Sequence, residues 1–154
     1  MTENNYKPKG GVVAAELYPV AELHDVESLE RGGGIGVEIV DDGSSYEELF
    51  VAKEGMVSVE HTLTLCASRP DAEAWLDADF VQRCAVEGVV ARVEMATGEE
   101  LLIGWSKRFG FEQALRLEQL HFSSGSEPNF APRVCLKLGS HDVQSALVSS
   151  KIKT

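Results

Sequence analysis

No run of about 18 apolar residues occurs in this 154-residue chain, so it lacks a helix long and apolar enough to cross a membrane. The first ten residues are polar and carry Lys7 and Lys9 without an apolar centre, which predicts no secretory leader and a cytoplasmic location. Basic residues are scarce. With 14 Lys and Arg against 25 Asp and Glu, the net charge is -11 and the sequence pI about 4.8. A protein that clamps phosphates needs clustered cations to release counterions, so specific nucleic-acid binding is not predicted. The acidic surface fits plain solubility, or a passage past which a polyanion slides without sticking.

Cysteines number three, and Cys66, Cys84 and Cys135 are far apart, each in an apolar or amphipathic run. An odd, scattered set predicts reduced thiols acting as small hydrophobes rather than a disulfide framework. The four histidines, His24, His61, His121 and His141, form no i, i+4 pair and no His-x-His spacing, and no Cys-x-x-Cys occurs. No metal site is predicted. His61 falls on the apolar parity of a strand and reads as a hydrogen-bonded core or subunit-contact histidine. Pairing Cys66 with a histidine would give a nucleophile without a third, orienting group, and no Gly-x-Ser-x-Gly elbow occurs. The carboxylates Asp41, Asp42, Glu47, Glu48, Asp71, Asp77, Asp79, Glu99 and Glu100 read as solvated charge, mostly in turns and on the polar side of a helix. The sequence therefore predicts no catalytic, cofactor-binding or metal-binding residues, and no cofactor.

What is present is alternation. Val57, Val59, His61, Leu63 and Leu65 alternate with Ser58, Glu60, Thr62, Thr64 and Cys66, which predicts a central strand with one buried face. Pro70 stops it, and Pro70-Asp71 opens a helix over residues 70–86 carrying Ala72, Trp75, Leu76, Phe80 and Cys84 on one side, with Glu87-Gly88 as its stop. Further strands are predicted over 12–20, with Pro19 at an edge or end, and over 37–40, 46–52, 89–95, 101–105, 113–122 and 134–138. Asp41-Asp42-Gly43, Lys53-Glu54-Gly55 and Ala96-Thr97-Gly98-Glu99 supply turns. Leu115 and Leu117 share one parity while Leu120 and Phe122 share the other, which predicts a bulge between them. Gly32-Gly33-Gly34-Ile35-Gly36 precedes a strand rather than a helix, so it reads as a linker or bulge and not as a phosphate loop.

The sum is a mainly β, α+β chain: an antiparallel β-sandwich or open barrel of about eight strands joined as a meander, with one helix packed across it. Residues 1–10 read as a disordered arm, 11–142 as one β-rich domain, and 143–154 as a flexible or swapped tail.

Thr62-Leu63-Thr64-Leu65, then Ser68-Arg69-Pro70-Asp71-Ala72 and Trp75-Leu76, then Leu115-Arg116-Leu117, the Ser124-Gly125-Ser126-Glu127-Pro128 loop and Val134-Cys135-Leu136-Lys137-Leu138, form an order that resembles small prophage tail structural proteins. The resemblance spans residues 57–140. It implies a non-enzymatic tail-tube or tail-completion subunit, a homo-oligomer built head to tail into rings that meet other tail proteins, located in the cytoplasm or in a virion-like particle. An acidic lumen in such rings would let DNA pass. The residues leave two alternatives: a small-ligand or peptide binding module with its mouth near Trp105, Phe109 and Phe111, and a hydrolase or isomerase should His61, His121 and an acid converge.

Overall fold

The computed structural model describes residues 11–20, 34–39, 44–68, 76–105, 110–123 and 132–142. Along these run β1 (Val12–Pro19), β2 (Ile35–Val37), β3 (Ser45–Lys53), β4 (Met56–Ser68), α1 (Ala78–Val86), β5 (Val89–Met95), β6 (Glu100–Ile103), β7 (Arg116–Ser123) and β8 (Arg133–Asp142). The strands form two four-stranded antiparallel sheets, β2-β1-β5-β6 and β3-β4-β8-β7. Their facing sides share one core: Leu17, Val93 and Ile103 from the first meet Leu63, Leu65, Leu136 and Leu138 from the second, all essentially without solvent contact.

Alternation puts β4 where the sequence places it. Val59, His61, Leu63, Leu65 and Ala67 are buried, the intervening Ser58, Glu60, Thr62 and Thr64 are half-exposed, and the strand pairs on both sides, with β3 and with β8. The connectivity differs from a meander. Successive strand pairs alternate between the sheets, and the inner contacts β1–β5 and β4–β8 join strands remote in sequence. β2 and β3 belong to different sheets, so the link between them is not a hairpin; Asp41-Asp42-Gly43 itself lies outside the described residues. β2 begins at Ile35, so Gly36 of the glycine run is paired strand, opposite Glu16.

The helix over 78–86 has its own N-terminus at Asp77, inside the predicted span. Asp77 has extended backbone angles and its carboxylate accepts a hydrogen bond from the Phe80 N–H at 2.7 Å, so it is the N-cap and α1 runs from Ala78. Pro70, Ala72 and Trp75 lie outside the described residues, and Leu76 packs against the core just ahead of the cap. Phe80 and Cys84, one turn apart, are the buried stripe of α1, which lies against β7. At its end the Glu87 and Gly88 N–H groups both reach the Arg83 carbonyl at 2.9 Å, and Gly88 has φ 91°, the stop that Glu87-Gly88 predicts.

The bulge of β7 also stands where the parities place it. The β7–β8 register shifts between Leu117 and Gln119, leaving Glu118 as the extra residue and bringing Leu120 and Phe122 opposite Leu136 and Val134. Just before β7, Leu115 exchanges two backbone hydrogen bonds with Val89, at 2.8 and 3.0 Å, tying β5 of one sheet to the chain entering the other. Gly104 makes room for this bridge. Its φ is 99°, and a Cβ there would lie 3.0 Å from the Val89 carbonyl and 3.2 Å from the Leu115 nitrogen. Gly104→Ala is expected to cost about 2–3 kcal/mol of unfolding free energy in a urea titration, from backbone strain and a displaced bridge together.

Candidate functional site

The β3–β4 hairpin outruns the sheet that holds it. The strands pair residue for residue from Ser45↔Thr64 to Lys53↔Met56, and Glu54 and Gly55, with φ of 53° and 82°, close the turn. β8 joins β4 only from Val59 onward, so among the described residues positions 51–58 form a two-stranded arm. Strand alternation puts Phe50 and Val57 on the core-side face and Leu49, Val51 and Met56 on the other. Phe50 and Leu49 are each 58% exposed, Val57 53% and Met56 77%. A hairpin needs one apolar face to pack on its own sheet; apolar side chains on both faces of a projecting arm mark a contact surface.

The opposite edge of the same sheet carries a second, smaller patch. On β7, Leu120 is 39% and Phe122 49% exposed. The charges at the two edges are mixed: β3 carries Glu47 and Lys53, and β7 carries Arg116 and Glu118, with Arg133 and Lys137 on β8 behind it.

Where β3 enters the sandwich, three polar side chains meet under cover. Tyr46 and Glu48 share a face of β3, and Glu48 stands directly opposite His61 of β4. The Tyr46 hydroxyl donates to Glu48 Oε2 at 2.5 Å and lies 2.5 Å from His61 Nδ1, with Glu48 Oε2 3.6 Å from the same nitrogen. The single hydroxyl proton goes to the carboxylate, which accepts only, so His61 Nδ1–H is the donor to the Tyr46 oxygen. His61 is 4% exposed and the Glu48 side chain 8%, so each needs the others. Of the two carboxylates in the predicted strand, Glu47 is exposed as solvated charge, whereas Glu48 departs from that reading and faces inward. Alternation from Tyr46 was the signal for this, since it sets Glu48 on the same face two residues on. Tyr46→Phe removes the shared hydroxyl and should cost about 1–3 kcal/mol in urea unfolding. Combined with Glu48→Gln, it should cost less than the sum of the two singles, because the first change already breaks the chain of hydrogen bonds.

Beside this cluster an open cleft of about 450 Å³ is lined by Tyr46, Glu48, Phe50, Met95, Thr97, Glu99 and Leu101, between β3 and the β5–β6 hairpin. No family model, curated protein or solved structure matches this chain. Geometry alone therefore assigns the site.

The other sequence candidates are dispersed. His121 is exposed on the outer face of the second sheet, opposite Cys135 in register, and does not approach His61. His24 and the side chain of His141 lie outside the described residues. Trp105 and Phe111 pack on Tyr18, Val90 and Leu102, forming a small second core on the outer face of the first sheet, and Phe109 lies outside the described residues. Among the described residues no three His, Cys, Asp or Glu side chains are grouped to hold a metal ion, and no helix is long and apolar enough to cross a membrane.

One expectation is overturned. Cys66 and Cys135 form a disulfide, their Cα atoms 4.1 Å apart and the residues directly opposed in the β4–β8 ladder. Both cysteines occupy the polar parity of amphipathic strands, Cys66 after Thr62 and Thr64, Cys135 between Arg133 and Lys137. That shared parity was the legible signal, but the pairing of two strands 69 residues apart was not. Cys84 is the free, buried thiol, pushed up to about 11 by burial.

Proposed function

We propose that this protein is a structural subunit that joins copies of itself head to tail through the β3-β4-β8-β7 sheet, and that it performs no catalysis. The observation that carries this is the arm of β3 and β4, apolar on both faces, at one end of a sheet whose other end exposes Leu120 and Phe122. Strand direction supports it. Because all neighbours in this sheet are antiparallel, β3 and β7 run in opposite senses, so a copy placed beyond either edge with its strands parallel to the first brings β3 against β7 as an antiparallel pair. Such a contact is heterologous and closes into a ring when each step rotates.

The resemblance to prophage tail proteins points the same way, toward rings with an acidic lumen that stack with other tail proteins in a virion-like particle. Light scattering over a concentration series, followed by electron microscopy of the most concentrated sample, tests the reading. Rings or tubes are the expected result; a monomer at every concentration, with no assemblies on the grid, overturns it. The cleft beside Tyr46 supports a second reading, a small-ligand or peptide binding module. Phe50 lines the cleft and borders the arm, so a ligand held there would compete with assembly.

A further inference from the structure

We propose that the Cys66–Cys135 disulfide is a reversible thiol–disulfide exchange site whose reacting sulfur is Cys135 and whose reactant is a small anionic thiol. The two sulfurs differ in access. Cys66 is 3% exposed, whereas Cys135 is half-buried and lines a shallow open cleft of about 290 Å³ on the outer face of the second sheet. The register explains what surrounds it: Thr64, Lys137 and Gln119 form one row across β4, β8 and β7, and Cys66, Cys135 and His121 form the next. An approaching thiolate therefore meets the Lys137 ammonium and the His121 imidazole before it meets sulfur. Attraction by a neighbouring cation favours a thiolate at this place over a neutral or cationic thiol.

The thiolate forms a bond to the Cys135 sulfur, the Cys66–Cys135 bond breaks, and its electron pair leaves on Cys66, giving a mixed disulfide at Cys135. The proton that the incoming thiol lost returns to Cys66 through His121 or solvent. A second thiolate then attacks the sulfur of the first thiol in that mixed disulfide, releasing the oxidised small thiol and leaving two protein thiols. The ladder remains throughout, because β4 and β8 are paired over ten consecutive positions. The site is thus separable from the fold, and the proposal is independent of self-assembly.

The test uses the full chain with reduced glutathione as the anionic thiol and 2-mercaptoethanol as the uncharged one, without denaturant. Samples are quenched with N-ethylmaleimide and mapped by mass spectrometry. Cys84 serves as an internal control, since its buried thiol stays protonated at pH 8 and should remain unlabelled. The expected results are a transient glutathione adduct on Cys135, native circular dichroism after reduction, and a severalfold slower reaction of Lys137→Glu with glutathione but not with 2-mercaptoethanol. Any of three results overturns the proposal: a disulfide reduced only after unfolding, an adduct on Cys66, or a purified protein whose Cys66 and Cys135 do not pair in oxidised glutathione.

Discussion

Replacing Phe50 by Asp and Met56 by Glu is expected to give a folded monomer at concentrations where the unaltered protein assembles. Both side chains are more than half exposed, so the sandwich loses little apolar contact within its own chain, and surface changes of this kind usually move stability by no more than about 0.5 kcal/mol. The loss falls on the contact between copies. Burying two such side chains stabilises an interface by about 3–6 kcal/mol, and the substitutes add two carboxylates to a side of the sheet that already carries Glu47 and Glu60. Association should weaken by at least about a hundredfold, since each 1.4 kcal/mol is a factor of ten. The decisive comparison is sedimentation of the double variant beside Phe122→Asp on the opposite edge. Under a heterologous contact each variant alone abolishes assembly, yet an equimolar mixture of the two forms dimers through the one intact edge of each. If the mixture stays monomeric, β3 and β7 do not meet.

The sequence was informative wherever a face of a single element decides the outcome. Alternation around Val59 and Leu63 placed β4 in the middle of a sheet, the parity change between Leu117 and Leu120 located the β7 bulge, and Glu87-Gly88 marked the helix end. It was less informative wherever two elements must find each other. The division of hairpins between two sheets depends on β1–β5 and β4–β8 pairings between strands that no short turn connects. The disulfide and the meeting of Glu48 with His61 depend on cross-strand register in the same way. The helix start was a different case. Asp77 caps α1 because its carboxylate accepts from the Phe80 N–H, which sets Phe80 and Cys84 on the core, and Pro70-Asp71 lies outside the described residues.

Opening the Cys66–Cys135 link is expected to cost about 4 kcal/mol of unfolding free energy without changing the fold. The link closes a loop across a sequence separation of 69, and confining that loop lowers the entropy of the unfolded chain, which accounts for an effect of about this size. The folded side loses much less, because the ten-position β4–β8 ladder and the core residues Leu63, Leu65, Leu136 and Leu138 hold the same two strands together. In a thermal scan the reduced protein should melt about 8–16 °C below the oxidised one. The signature that separates this mechanism from local packing is non-additivity. Cys66→Ser and Cys135→Ser each open the whole loop, so the double variant should be no less stable than the worse single by more than a few tenths of a kcal/mol. Two independent costs that add would instead mean that the sulfurs act as separate side chains in the sheet, and a total below about 1 kcal/mol would mean that the folded protein in solution does not hold them joined.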